Sequence, residues 1–128
     1  MASPTLLIYD GECGFCRWGM HVVRRLDHRG LFGYCPYGHP AAESILTRLP
    51  AERRYASHHA YRDGVLHSAT DAARVTLEGL PFGWVAVALQ LHRLYPLVAA
   101  NRGRLGRLVP HRSVLNTCSQ PAVQVERR

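Results

Sequence analysis

The chain opens on an unbroken apolar run, Thr5 to Tyr9, held between Pro4 and Asp10-Gly11. Its length and boundaries predict a buried strand. Beyond the turn, Phe15, Trp18, Gly19, Val22, Val23 and Leu26 recur at helical spacing, while Arg17, His21, Arg24, Arg25 and His28 take the other faces. This pattern predicts an amphipathic helix that stops near Arg29-Gly30. Leu31 to Cys35 reads as a second strand cut off by Pro36, and Tyr37 to Pro40 as a loop. Ala41 to Leu49 has a weak helical pattern closed by Pro50. Ser57 to Arg62 and Val65 to His67 flank Asp63-Gly64, the pair that a tight primed turn demands, and so predict a β-hairpin. Ser68, with Asp71 three positions later, has the form of a capping box opening a helix through Leu80. Trp84 to Leu94 predicts a strongly apolar helix and Leu97 to Leu108 another, whereas periodicity is lost after Pro110.

The order β-α-β-α-β-β-α with helical extensions implies a parallel strand pair joined by a right-handed crossover, plus an antiparallel hairpin. The expected architecture is an α/β sandwich on a mixed four-stranded sheet with extra C-terminal helices. At 128 residues there is room for one domain, expected over 1–112, with 113–128 as a loosely ordered C-terminal tail. The composition, 47% hydrophobic and 20% charged, argues against wholesale disorder. Four cysteines are too few for a small stapled secreted scaffold.

Charge changes this picture little. The chain carries sixteen arginines, no lysine and nine acids, for a net +7. That balance favours acidic partners in general, but the charges are dispersed and no nucleic-acid motif accompanies them. The N-terminus lacks the form of a signal peptide, and Gln90, His92, Arg93 and Pro96 interrupt the most apolar stretch. A cytoplasmic location is the expectation. Residues 82–112 combine Trp84, Leu89, Leu91 and Leu94 with Arg93, Arg102, Arg104, Arg107 and Arg112. They fit a helix packed on the sheet with a basic outer face better than a surface docking on membrane or protein.

The sharpest chemistry lies at the first strand–helix junction, Tyr9-Asp10-Gly11-Glu12-Cys13-Gly14-Phe15-Cys16. A helix start presents unpaired backbone N–H groups and a partial positive charge, so a thiolate at Cys13 would be stabilised there. Cys16, one turn on, can attack a mixed disulfide formed at Cys13. Gly11 and Gly14 permit a tight turn, and Arg17 adds positive charge. An ionised Asp10 would oppose a thiolate; protonated, it could exchange a proton with Cys16, or it could simply cap the turn. The competing reading of a C-x-x-C is half a zinc site, with His39, His58, His59 and Cys118 as further ligands, none at a regular metal-site spacing. Cys35 reads as a buried apolar thiol and Cys118 as an uninvolved one. His58 and His59 alternate along their strand, one inward and one outward.

The junction motif resembles the signature of the DCC family, named for an Asp-Cys-Cys pattern and described as thiol-disulfide oxidoreductases. A His-x-x-x-x-Asp-Gly hairpin (here ending Ala60-Tyr61-Arg62-Asp63-Gly64), Asp71-Ala72 at a helix start, and Asn101-Arg102 extend the resemblance over Leu6 to Leu108. The resemblance implies a thioredoxin-like fold with Cys13 and Cys16 as the redox pair, and loosely places Asp71 towards them. Two departures from thioredoxin itself stand out. Arg53 to Ser57 lacks the proline that precedes the third strand there, and Glu12 replaces the aromatic residue before the first cysteine.

The reading these observations support is a thiol-disulfide oxidoreductase acting on a protein or small-molecule thiol or disulfide. Cys13 is its nucleophile and Cys16 resolves, with Asp10, Gly11, Arg17 and Asp71 in support. No organic cofactor is implied; electrons come from another thiol. The alternatives are a non-enzymatic module holding Zn or an Fe–S cluster through Cys13 and Cys16, and a basic adaptor docking through residues 82–112.

Overall fold

A computed structural model describes residues 4–108 and 118. The strands are β1 (Thr5–Tyr9), β2 (Phe32–Pro36), β3 (His59–Arg62) and β4 (Val65–Ser68). They form one sheet in the order β2-β1-β3-β4. β1 runs parallel to β2, from Thr5 opposite Phe32 to Tyr9 opposite Pro36, and antiparallel to β3, with Ile8 opposite His59. The β3–β4 hairpin turns at Asp63-Gly64, both at positive φ, as a primed turn requires. This mixed sheet, with helices packed against it, is the thioredoxin-like fold.

β1 is central, and its five residues are all buried. Their alternation builds two cores. Leu7 and Tyr9 pack with Phe32, Tyr34, Ala60, Met20 and Val23 of α1 (Gly14–Leu26), and Val75 of α4 (Ala69–Glu78). On the opposite face, Leu6, Ile8 and Cys35 pack with Ala42 and Leu46 of α2 (Pro40–Leu46). An apolar run buried on both faces is what a central strand needs.

Several boundaries differ from the expectation. β2 continues through Pro36, because β2 is an edge strand and the missing N–H costs no ladder bond. A short helix, α3 (Ala51–Arg54), follows Pro50. Ser68 stands at the N-cap of α4 but makes no side-chain cap; its hydroxyl lies 2.7 Å from His59 Nδ1. The capping box is therefore not formed, and Asp71 pairs instead with His67 and Arg74. The two long C-terminal helices are four short pieces. Gln90, at φ 59°, separates α5 (Gly83–Ala88) from a 3-10 turn, Leu91–Leu94. Asn101 separates α6 (Tyr95–Ala100) from α7 (Arg102–Leu108).

Breaking the helices lets them wrap: α5, the 3-10 turn and α6 pack on α4, and α7 returns to α1. The wrapping leaves Phe82, Trp84, Leu89 and Leu97 exposed, a more apolar surface than a helix packed on the sheet would present. No helix among the described residues is long and apolar enough to cross a membrane. The 113–128 segment lies outside the described residues except for Cys118. That residue packs on the second core rather than standing apart in a tail.

Candidate active site

The site is built where β1 hands over to α1. Asp10 accepts the Glu12 N–H at Oδ1 (3.0 Å), and its carbonyl accepts the Cys13 N–H (3.3 Å), closing the turn. Of the two roles open to Asp10, the structure displays the turn cap. Gly11 fits a close approach: a Cβ there would stand 3.2 Å from Pro36 Cβ, so a larger residue would have to push the two apart by a few tenths of an ångström. Arg17 Nη1 donates to the Gly11 carbonyl at 2.9 Å and braces the turn.

Cys13 is the N-cap of α1, with extended backbone (φ −83°, ψ 117°), and its sulfur accepts the Cys16 N–H at 3.4 Å. The side chain thus occupies the place where Ser or Asp normally satisfies the first free amides of a helix. Cys16 lies one turn further on, half-buried, its thiol in hydrogen-bond contact with the Cys13 sulfur. Burial, first of all, pushes the Cys16 thiol up to about 12; the hydrogen bond to Cys13 and the electrostatic interaction with it add to this. Arg102 opposes the rise and Asp10 reinforces it. At neutral pH Cys16 is therefore a thiol, donating to the sulfur that caps the helix.

The cation facing this pair comes from α7. Against the desolvation that burial imposes, Cys16, Cys13, Asp10 and Tyr37 hold the Arg102 guanidinium above its ordinary value. Arg102 reaches them because α7 lies close on the first turn of α1: a Cβ on Gly106 would stand 3.3 Å from the Phe15 nitrogen. Arg17, expected to supply positive charge, is engaged by the turn, and Arg102 is the arginine coupled to both sulfurs. Asp71 is held below the usual carboxylate range, against its own desolvation, by hydrogen bonds from His67 and Arg74. Those two residues, rather than the cysteines, are its partners.

Tyr95 was not singled out in the sequence, and His58 and His59 were named there only as possible metal ligands on alternate faces of a strand. His58, immediately before β3, has its Nδ1 3.0 Å from the Tyr95 hydroxyl, and its backbone N–H donates to the same oxygen at 3.3 Å. Burial, with a smaller contribution from His59, lowers His58 to about 4, so the ring is neutral at pH 7. His59 is fully buried between Ser68 and the Arg54 carbonyl. His58, Tyr95, Cys16, Phe15 and Arg102 line one apolar cavity of about 480 Å³. An open groove lies along Asp10, Glu12, Tyr37 and His39. The signal for His58 was its place at the head of the His-x-x-x-x-Asp-Gly hairpin; for Arg102, the Asn-Arg element.

The family model of DCC1-like thiol-disulfide oxidoreductases matches residues 7–108, which takes in the cysteine turn, the hairpin and the returning α7. The chain belongs to this family. No curated protein and no solved structure matches it. Membership carries thiol–disulfide chemistry in general terms, and the matched span ends at α7, so the helix bearing Arg102 is part of the family's domain.

Proposed function

We propose that the chain is a thiol-disulfide oxidoreductase that cycles Cys13 and Cys16 between dithiol and disulfide against a protein or small-molecule thiol or disulfide. The observation that carries this reading is the sulfur of Cys13 acting as the cap of α1, accepting the Cys16 amide at 3.4 Å with the Cys16 thiol beside it. In the reducing direction, the Cys13 thiolate attacks a substrate disulfide, forming a mixed disulfide and expelling one substrate thiolate. Cys16 then gives up its proton, displaces the second substrate sulfur and closes the Cys13–Cys16 bond. Two electrons pass to the substrate, and an external dithiol returns them.

The charge of Asp10 acts on Cys16, which supports a second role beside its turn cap as proton acceptor in that step, with the departing thiolate as the other acceptor. Gly11 and Arg17 maintain the turn, and Arg102 stabilises negative sulfur at either cysteine. A reducing cytoplasm suits a resting dithiol of this kind. The exposed side chains of Phe82, Trp84 and Leu89 support docking of a partner protein through residues 82–112.

The test is a redox titration with the cysteines mapped by mass spectrometry. The expected result is a reversible Cys13–Cys16 disulfide; a chain in which those two sulfurs never pair would overturn the proposal.

A further inference from the structure

Away from the redox pair, three more metal-ligating side chains converge. Cys35 lies on β2, fully buried under α2. His39 is the N-cap of α2, and Cys118 packs against the same core from far along the chain. One donor atom from each, two sulfurs and a ring nitrogen, lie within 4.8 Å of one another. Among the described residues this is the group of His, Cys, Asp and Glu spaced to hold a metal ion.

We propose that Cys35, His39 and Cys118 form a binding site for a divalent cation of the Zn²⁺ class, separate from the Cys13–Cys16 pair. The donor chemistry selects the ion. Two thiolates and an imidazole suit a borderline-soft d¹⁰ cation and exclude the oxygen-seeking Ca²⁺ and Mg²⁺. Metal–sulfur bonds of about 2.3 Å and metal–nitrogen bonds of about 2.0 Å put tetrahedral donors a little under 4 Å apart, so the cluster needs only a small contraction. A supporting contact is already formed: the Ala42 N–H donates to the Cys35 sulfur, as outer hydrogen bonds do around metal thiolates. His39 also lines the open groove beside Asp10, Glu12 and Tyr37, so this ligand is reached from solvent.

Binding replaces two S–H bonds with two metal–sulfur bonds and releases both protons; no electrons move. His39 ligates as the neutral ring. Its Nδ1 accepts the Ala41 N–H at 3.2 Å. A neutral imidazole has one lone pair for this purpose, so ligation through either nitrogen exchanges that cap for a metal bond. The described residues supply three donors, which leaves one tetrahedral position to a further ligand.

The test uses the full chain carrying Cys13→Ser and Cys16→Ser, so that the redox pair cannot bind metal or form a disulfide, and its outcome is independent of the oxidoreductase reading. The reduced, metal-free protein is titrated with Co²⁺, then with Zn²⁺ as competitor. Expected are one Co²⁺ per chain, a thiolate-to-cobalt charge-transfer band with tetrahedral d–d bands, displacement by Zn²⁺, and altered resonances for the His39 ring and Ala41 amide. Adding Cys118→Ser, at a half-buried position that circular dichroism can show still folds, is expected to abolish the charge-transfer band. His39→Ala is expected to weaken binding at least tenfold. Binding that survives Cys118→Ser, or reduced protein that takes up no Co²⁺ and forms only a Cys35–Cys118 disulfide on oxidation, would overturn the proposal.

Discussion

The rise that burial imposes on the Cys16 thiol is measurable in single-cysteine variants. Cys16→Ser leaves Cys13 at the helix cap; Cys13→Ser leaves Cys16, with a hydroxyl still able to cap its amide. Relative to an ordinary thiol at 9.0, a Cys16 thiol raised to about 12 holds about a thousandfold less thiolate at pH 7. A more basic thiolate is a better nucleophile. With a Brønsted slope of about 0.4–0.5, the same rise returns about 15–30-fold, so the net retardation is about 30–60-fold. Burial is the largest cause and survives loss of Cys13, so most of this factor is expected to remain in Cys13→Ser. The assay is iodoacetamide alkylation followed by residue-resolved mass spectrometry, with the rate measured from pH 6 to pH 10. Cys13 in Cys16→Ser is expected to react tens of times faster at pH 7 than Cys16 in Cys13→Ser, whose rate keeps climbing across the whole range. Equal rates, or faster reaction at Cys16, would refute the assignment of nucleophile and resolving thiol.

Replacing Arg102 by Gln removes the cation that favours thiolate at both cysteines. The dithiol form loses stability relative to the disulfide, and the potential measured against glutathione should move about 10–30 mV more negative, given partial exposure of the guanidinium. His58 is lowered from 6.5 to about 4, so between those values the unfolded chain binds the proton that the folded chain refuses. Its contribution, about 3 kcal/mol, is present above pH 6.5 and is lost as pH falls towards 4. Urea titrations of the parent and of His58→Asn over that window should show a flatter dependence in the variant. Gly103→Ala, with open space around its Cβ, should gain about 0.5–1 kcal/mol from helix propensity. Gly106→Ala should forfeit that gain against the Phe15 nitrogen 3.3 Å away; equal gains in thermal unfolding would contradict the close approach of α7.

What the chain alone determined is local. A five-residue apolar run, a 3.6-residue stripe from Phe15 to Leu26 and an Asp-Gly between two short strands specify their elements with their neighbours' help only. The cysteine turn was legible for the same reason: a cap and the amide three residues on are set by φ and ψ within one turn, so Cys13 and Cys16 must meet wherever that helix starts. Legibility ended where the contact is long-range. The apolar stretch after Pro81 has a helical period throughout, yet Gln90 and Asn101 interrupt it, because only a broken path can follow the surface of α4 and still return α7 to α1. Periodicity registers which residues are apolar, not where a helix must bend to bury them. Arg102 at the sulfurs, Tyr95 against His58, and Cys118 beside Cys35 and His39 all depend on that path or on tail placement. So does the fate of Ser68 and Asp71, whose capping pattern lost to His59 on the neighbouring strand and to His67 and Arg74. Spacing along the chain decides which partners are available to a side chain; the packed fold decides which one it takes.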